Sequence, residues 1–191
     1  MGNYKNRFTL CAHGIVKGSH MVNKDSVLPQ YSTIQLTSLV ILRVLIGWHF
    51  LYEGIAKLIS PHWTAASYLM ESKWIFSGIF TWMASNPAVL ALVDFMNIWG
   101  LIAIGLGLIV GGLTRIASIS GVFLLLLYYI CNPPFIGYTY SMPMEGSYLI
   151  VSKNLIELFA LIVLIVFPTG SIIGIDRLLT RVRETIKIKT P

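Results

Sequence analysis

The chain has 191 residues, 55% of them hydrophobic and only 12% charged, with a formal net charge of +6. So little polar surface excludes a soluble enzyme or binding module of this size and points to an all-α protein integral to a membrane. The positive balance needs no partner beyond lipid headgroups, and no nucleic-acid motif accompanies it.

In chain order, residues 1–35 read as a polar arm carrying Lys5, Arg7, Lys17 and Lys24. The arm has no apolar run followed by a small-residue cleavage site, so no removable signal peptide is expected. Four apolar stretches follow, 36–59, 88–112, 113–130 and 149–167. Each is long enough to cross ~30 Å of hydrocarbon as a helix, which predicts a four-helix transmembrane bundle. Between the first two lies 63–85, with Glu71 and Lys73 at its middle among Trp63, Tyr68, Trp74, Phe76, Phe80 and Trp82. That composition reads as an interfacial or re-entrant helix rather than a fifth span.

With four spans, the basic residues of the arm, Arg115 in the turn after the second span, and Arg177, Arg181, Arg183, Lys187 and Lys189 all fall on one side. The positive-inside rule then places both termini in the cytoplasm. The expected organisation is a cytoplasmic arm, 1–35, a membrane domain, 36–179, and a basic cytoplasmic tail, 180–191. Cys11 and Cys131 should lie on opposite sides, and no CxxC pair is present.

Six ionisable residues fall inside the spans: Arg43, Glu53, Lys57, Asp94, Lys153 and Glu157. A charge in hydrocarbon costs roughly 2.5 to 3.5 kcal/mol on insertion scales, so such residues normally face the bundle interior and find partners. At 100° per residue, Arg43, Gly47, Phe50, Gly54 and Lys57 share one face of the first helix. Glu53 flanks that stripe, one turn before Lys57 in the favourable order for a helical pair. Asp94 and Asn97 occupy the first turns of the second helix, and Lys153, Asn154 and Glu157 the first turns of the fourth.

The topology gives Glu53, Lys57, Asp94, Asn97, Lys153, Asn154 and Glu157 one depth, near the outer face, so a shared polar cluster is expected there. Arg43 lies roughly 21 Å deeper, in the inner half. Simpler readings compete with a shared site. Lys57 and Arg43 would snorkel to opposite interfaces, Asp94 would answer the helix dipole, and Lys153 and Glu157 would only neutralise each other. The segment 132–148, NPPFIGYTYSMPMEGSY, carries one charge, Glu145, and should fold onto the bundle, forming an outer lid with 63–85.

No haem is expected, because His49 is the only histidine in a span and faces away from the charged stripe. The absence of a Cys or His cluster and of a phosphate-binding glycine loop argues against a metal and a nucleotide. Redox chemistry would then require a lipid-soluble carrier, a bound substrate or a group on a partner subunit.

The run LRVLIGWHFLYEGIAKL, Leu42 to Leu58, resembles the first helix of the DoxX/DoxD family of small bacterial four-helix membrane proteins. GLGLIVGGLTRIAS, Gly105 to Ser118, and FPTGSIIGIDRLL, Phe167 to Leu179, resemble the family's second-helix exit and its closing Gly…Asp segment. DoxD-type proteins are the membrane subunit of a thiosulfate:quinone oxidoreductase, which joins two thiosulfates into tetrathionate and passes the electrons to quinone. Some DoxX relatives are linked to oxidative stress and thiol homeostasis.

The resemblance implies a quinone-linked oxidoreductase, or its membrane subunit, in the bacterial cytoplasmic (inner) membrane. Lys57, Asn97, Lys153 and Asn154 would bind a small anionic sulfur compound. Glu53, Asp94 and Glu157 would balance charge and move protons, and Arg43 with Phe50 would contact a quinone headgroup. Many relatives have a glutamate in the second helix where this chain has Asn97, with Asp94 one turn earlier. A small-solute carrier, or a non-catalytic scaffold for a redox partner or second subunit, is the alternative, and a homo-oligomer is compatible with either.

Overall fold

The computed structural model describes residues 31–141, 149–170 and 172–176. The chain divides into Met1–Tyr31 and Ser32–Pro191, and all that follows concerns the second unit. The arm with Cys11, the loop half containing Glu145, and the tail basic residues Arg177, Arg181, Arg183, Lys187 and Lys189 lie outside the described residues.

Among the described residues six helices are formed: α1, Thr33–Ile59; α2, Ala66–Met70; α3, Ser77–Ser85; α4, Pro87–Val110; α5, Thr114–Cys131; and α6, Lys153–Val166. No strand occurs among the described residues. Three of them, α1, α4 and α5, are long and apolar enough to cross a membrane. Side chains such as Ile41, Leu45, Trp48 and Phe123 project outward from these helices, where lipid solvates them.

The fourth expected span is helical only over the 14 residues of α6. Ser152 stops the helix from starting earlier, because its side chain accepts a hydrogen bond from Leu155 N as an N-cap. Pro168 ends it by disfavouring helical geometry at Phe167. Instead of the single interfacial helix expected over 63–85, two short helices, α2 and α3, flank a non-helical stretch. There Ser72 Oγ donates to Cys131 O at 2.8 Å, which ties the stretch to the end of α5.

Ser32 and Gln35 form a capping box at the start of α1. Its buried face is Arg43, Ile46, Gly47, Phe50 and Gly54, the predicted stripe without Lys57 at its end. The glycines let α1 and α4 meet backbone to backbone. A Cβ on Gly105 would lie 2.5 Å from Leu51 N, and one on Gly54 3.0 Å from Ile102 N. Phe50, Leu101, Ile104, Leu108, Leu125, Leu158, Leu161 and Leu164 form the core that joins α1, α4, α5 and α6.

A smaller core of Ala65, Leu69, Phe80, Ala84 and Cys131 covers the end of the bundle at which α1 finishes, termed here the lid end. Two chain segments meet in it. Tyr68 donates to Tyr128 O at 3.0 Å, Asn132 Nδ2 donates to Tyr68 O at 3.1 Å, and Trp74 packs edge-on against Phe135. Ser141 N donates to the Glu71 carboxylate, and Lys73 donates to Thr139 O. The described part of 132–148 therefore packs against 63–85, as its low polarity led us to expect.

Candidate functional site: a charged pocket beneath the lid

Below the lid, α1, α4, α5 and α6 enclose a cavity of about 110 Å³ lined by His49, Phe50, Glu53, Lys57, Leu101, Leu125, Tyr128, Lys153, Asn154 and Glu157. One water needs only about 10–15 Å³, whereas pockets for drug-sized ligands run to about 300–1,000 Å³. The space suits a small ligand. Its floor is apolar, through Phe50, Leu101 and Leu125, and its walls carry two carboxylates and two ammonium groups.

Lys57 is the best-defined polar group of the wall. Its Nζ donates to Asn97 Oδ1 at 2.9 Å and to the Tyr128 hydroxyl at 3.2 Å, and it lies 5.0 Å from the Trp63 ring centroid. Asn97 Nδ2 donates to the same hydroxyl at 2.7 Å, closing a triangle of one cation and two neutral groups. None of the Lys57 hydrogen-bond partners is a carboxylate. Glu53, expected as its helical pair, instead lines the cavity wall. Asn97 is 8% exposed and holds the ammonium from behind, on α4.

Where α6 meets α1, His49 Nδ1 and Glu157 Oε1 are 2.8 Å apart, with side-chain exposures of 37% and 11%. The carboxylate accepts and the ring N–H donates. This corrects the expectation that His49 faces away from the charges. The stripe runs through Arg43, Gly47, Phe50, Gly54 and Lys57; Glu53, one turn after His49 and beside that stripe, marks the pocket side of the same helix, and α6 brings Glu157 to meet His49.

Tyr128 was missed for another reason. Nothing in the third span marks one tyrosine among its neighbours, and only the α4–α5 packing brings its hydroxyl to Lys57. The structure thus gathers Glu53, Lys57, Lys153, Asn154 and Glu157 around one cavity, holds Asn97 against Lys57 just outside its lining, and adds His49 and Tyr128.

Asp94 is placed elsewhere. Its Oδ1 accepts from Ala65 N at 2.8 Å, immediately before α2, so it fastens the lid to α4 and does not line the pocket. Arg43 is likewise structural. It is 3% exposed, its Nη1 donates to Thr169 Oγ1 at 3.2 Å and its Nη2 to Ile173 O at 3.0 Å. Beside it, Asp176 accepts from Leu113 N, Thr114 N and Thr114 Oγ1, capping α5. Arg43 and Asp176 form a clasp that ties the segment after α6 to the α4–α5 turn, at the end opposite the lid. Phe50 lines the pocket and Arg43 does not, so the two share no cavity.

A helical bundle with three apolar spans and ionisable groups gathered between its helices defines a polytopic membrane protein with an intramembrane polar site. The sequence model of the DoxX family matches residues 38–131, and the chain is a DoxX family membrane protein. That stretch includes α4, α5 and all of α1 beyond its first turn, and so supplies Lys57, Asn97 and Tyr128, whereas α6 lies beyond it. No curated protein and no solved structure matches the chain.

Proposed function

We propose that the pocket binds a small anionic sulfur compound, such as thiosulfate or a thiolate, for oxidation by a quinone-linked membrane oxidoreductase of which this chain is the whole or the membrane subunit. The observation that carries the reading is Lys57. An ammonium held beside a cavity by an amide oxygen, a phenol and an aromatic ring, with no carboxylate among its hydrogen-bond partners, keeps its charge available to an anion. Lys153 adds a second cation on the facing wall, and Asn154 a neutral donor.

Oxidative joining of two thiosulfates forms one S–S bond and releases two electrons, which reduce a quinone to quinol with the uptake of two protons. The family supports the acceptor. Among the described residues Arg43 and Phe50 line no common cavity in which to contact a quinone ring.

Tyr129 donates to Ile150 O just before α6, at the lid end, whereas Asp176 binds the α4–α5 turn at the other. This favours a fourth crossing made by α6 and the turn that follows it, with both termini cytoplasmic in a bacterial inner membrane and the lid outside. Purified full-length protein, alone or with its genomic neighbours, should reduce a soluble quinone in the presence of thiosulfate or a thiol. Quinone reduction that is no faster with either donor than without would defeat the proposal, and anion flux into proteoliposomes without an electron acceptor would favour the carrier reading in its place.

A further inference from the structure

The charges that line the pocket balance only while it is empty. Glu53 and Glu157 contribute two negative charges, Lys57 and Lys153 two positive, and a neutral His49 none. An anion entering that space leaves a net negative charge in a low-dielectric site, where an uncompensated charge is costly. Compensation has to come from the walls or with the ligand.

We propose that the pocket binds its anion together with a proton, and that His49 carries the proton. This rests on the anion-binding reading above. Three observations point to His49. It lines the cavity, its Nδ1 is already engaged by Glu157 at 2.8 Å, and its Nε2 has no hydrogen-bond partner in the protein among the described residues. Glu157 fixes the tautomer that leaves Nε2 open and stabilises the imidazolium once it forms.

The other groups facing His49 are less suited. Lys57 and Lys153 are amines that face the anion as proton-bearing ammonium groups, and from that form they can only lose a proton. Tyr128, from α5, is a neutral phenol committed to Lys57 and Asn97, and it can only lose a proton. From α4, Leu101 alone reaches the cavity, because Asp94 is engaged at Ala65. Glu53, on α1, is the one rival, since a carboxylate can also be neutralised, and Glu53→Gln in the test below separates the two. A thiol ligand would bring the same proton itself, giving up its S–H hydrogen to Nε2 and remaining as a thiolate beside Lys57. In either case the occupied pocket holds an anion, an imidazolium and an unchanged set of lysines and glutamates.

The test is calorimetric titration of the detergent-purified full chain with sodium thiosulfate, a permanently ionised probe, between about pH 6 and pH 9. One coupled proton makes the wild-type Kd rise by up to about tenfold per pH unit above the midpoint of His49. In His49→Gln the dependence should flatten. In Glu157→Gln, which keeps the imidazole but removes its anionic partner, the onset should move to lower pH, a shift that loss of packing would not produce. A wild-type Kd that is flat with pH overturns the inference, as does a slope that survives in His49→Gln, whether a lysine then carries it or Glu53, in which case Glu53→Gln removes it. Thiosulfate that fails to bind at every pH defeats the anion site itself and this inference with it, whereas binding without a pH slope defeats only the inference.

Discussion

Lys57 and Asp94 show how the same kind of residue, a charge inside an apolar helix, takes two different jobs according to what the neighbouring helix offers. Asp94 meets a backbone N–H at the root of the lid and becomes a fastener. Lys57 meets Asn97 and Tyr128 and stays at the edge of a cavity. Lys57→Met should therefore abolish thiosulfate-dependent activity, with at least about a hundredfold loss in kcat/KM, while the protein remains folded in detergent. Tyr128→Phe removes one of two neutral acceptors and should raise KM about three- to tenfold with the charge retained. Equal losses in the two variants would mean that Lys57 acts only through packing.

Tyr68 offers a prediction of a different kind. Burial pushes its phenol well above the ordinary tyrosine value, because the phenolate would have to form within the lid core. A group whose folded value is raised lends its stability below the unfolded value and loses it above, so the contribution is complete below about pH 10 and fades beyond it. The melting-temperature advantage of wild type over Tyr68→Phe, which corresponds to about 1 kcal/mol for the bond to Tyr128 O, should shrink above that pH.

At the scale of elements, the sequence was most legible where one helix carried its own pattern. The period of Arg43, Gly47, Phe50 and Gly54 predicts the buried face of α1, and all four residues are buried. The small residues have a consequence that can be measured. A Cβ on Gly105 would meet the Leu51 backbone, which has no flexible end to move aside, so Gly105→Ala should separate α1 from α4. We expect a loss of about 1–3 kcal/mol, read as a fall in the temperature at which the detergent-solubilised protein aggregates, whereas Gly100→Ala, where a Cβ meets nothing within 4 Å, should be silent. Less legible were features made by two elements together. The tie between the α2–α3 stretch and α5 depends on Cys131 O accepting from Ser72 Oγ, and the Arg43 clasp depends on Thr169 and Ile173. Both partners lie far away in sequence, and no local period records them.

For the molecule as a whole, the question that composition raised is how a 14-residue helix can complete the bundle. The His49–Glu157 contact sets the depth of α6. His49 lies about 15 Å along α1 from Ile59, while Glu157 lies only about 6 Å along α6 from Lys153, so α6 begins well below the lid end. A helix that starts recessed, under a lid that covers it, can be shorter than the hydrocarbon it helps to cross, and the turn from Phe167 to Asp176 completes the distance to the α4–α5 turn. Three crossings would put the two termini on opposite sides, and four put them together. A membrane-impermeant maleimide separates the cases in a Cys131→Ser background, using Cys11 as the N-terminal reporter and Thr190→Cys, with Cys11→Ser as well, as the C-terminal one. With four crossings both reporters stay unlabelled in intact spheroplasts and react after permeabilisation. Labelling of only one of them before permeabilisation would make α6 a helix that enters the bundle and returns, and would place the pocket's His49–Glu157 wall on a re-entrant segment.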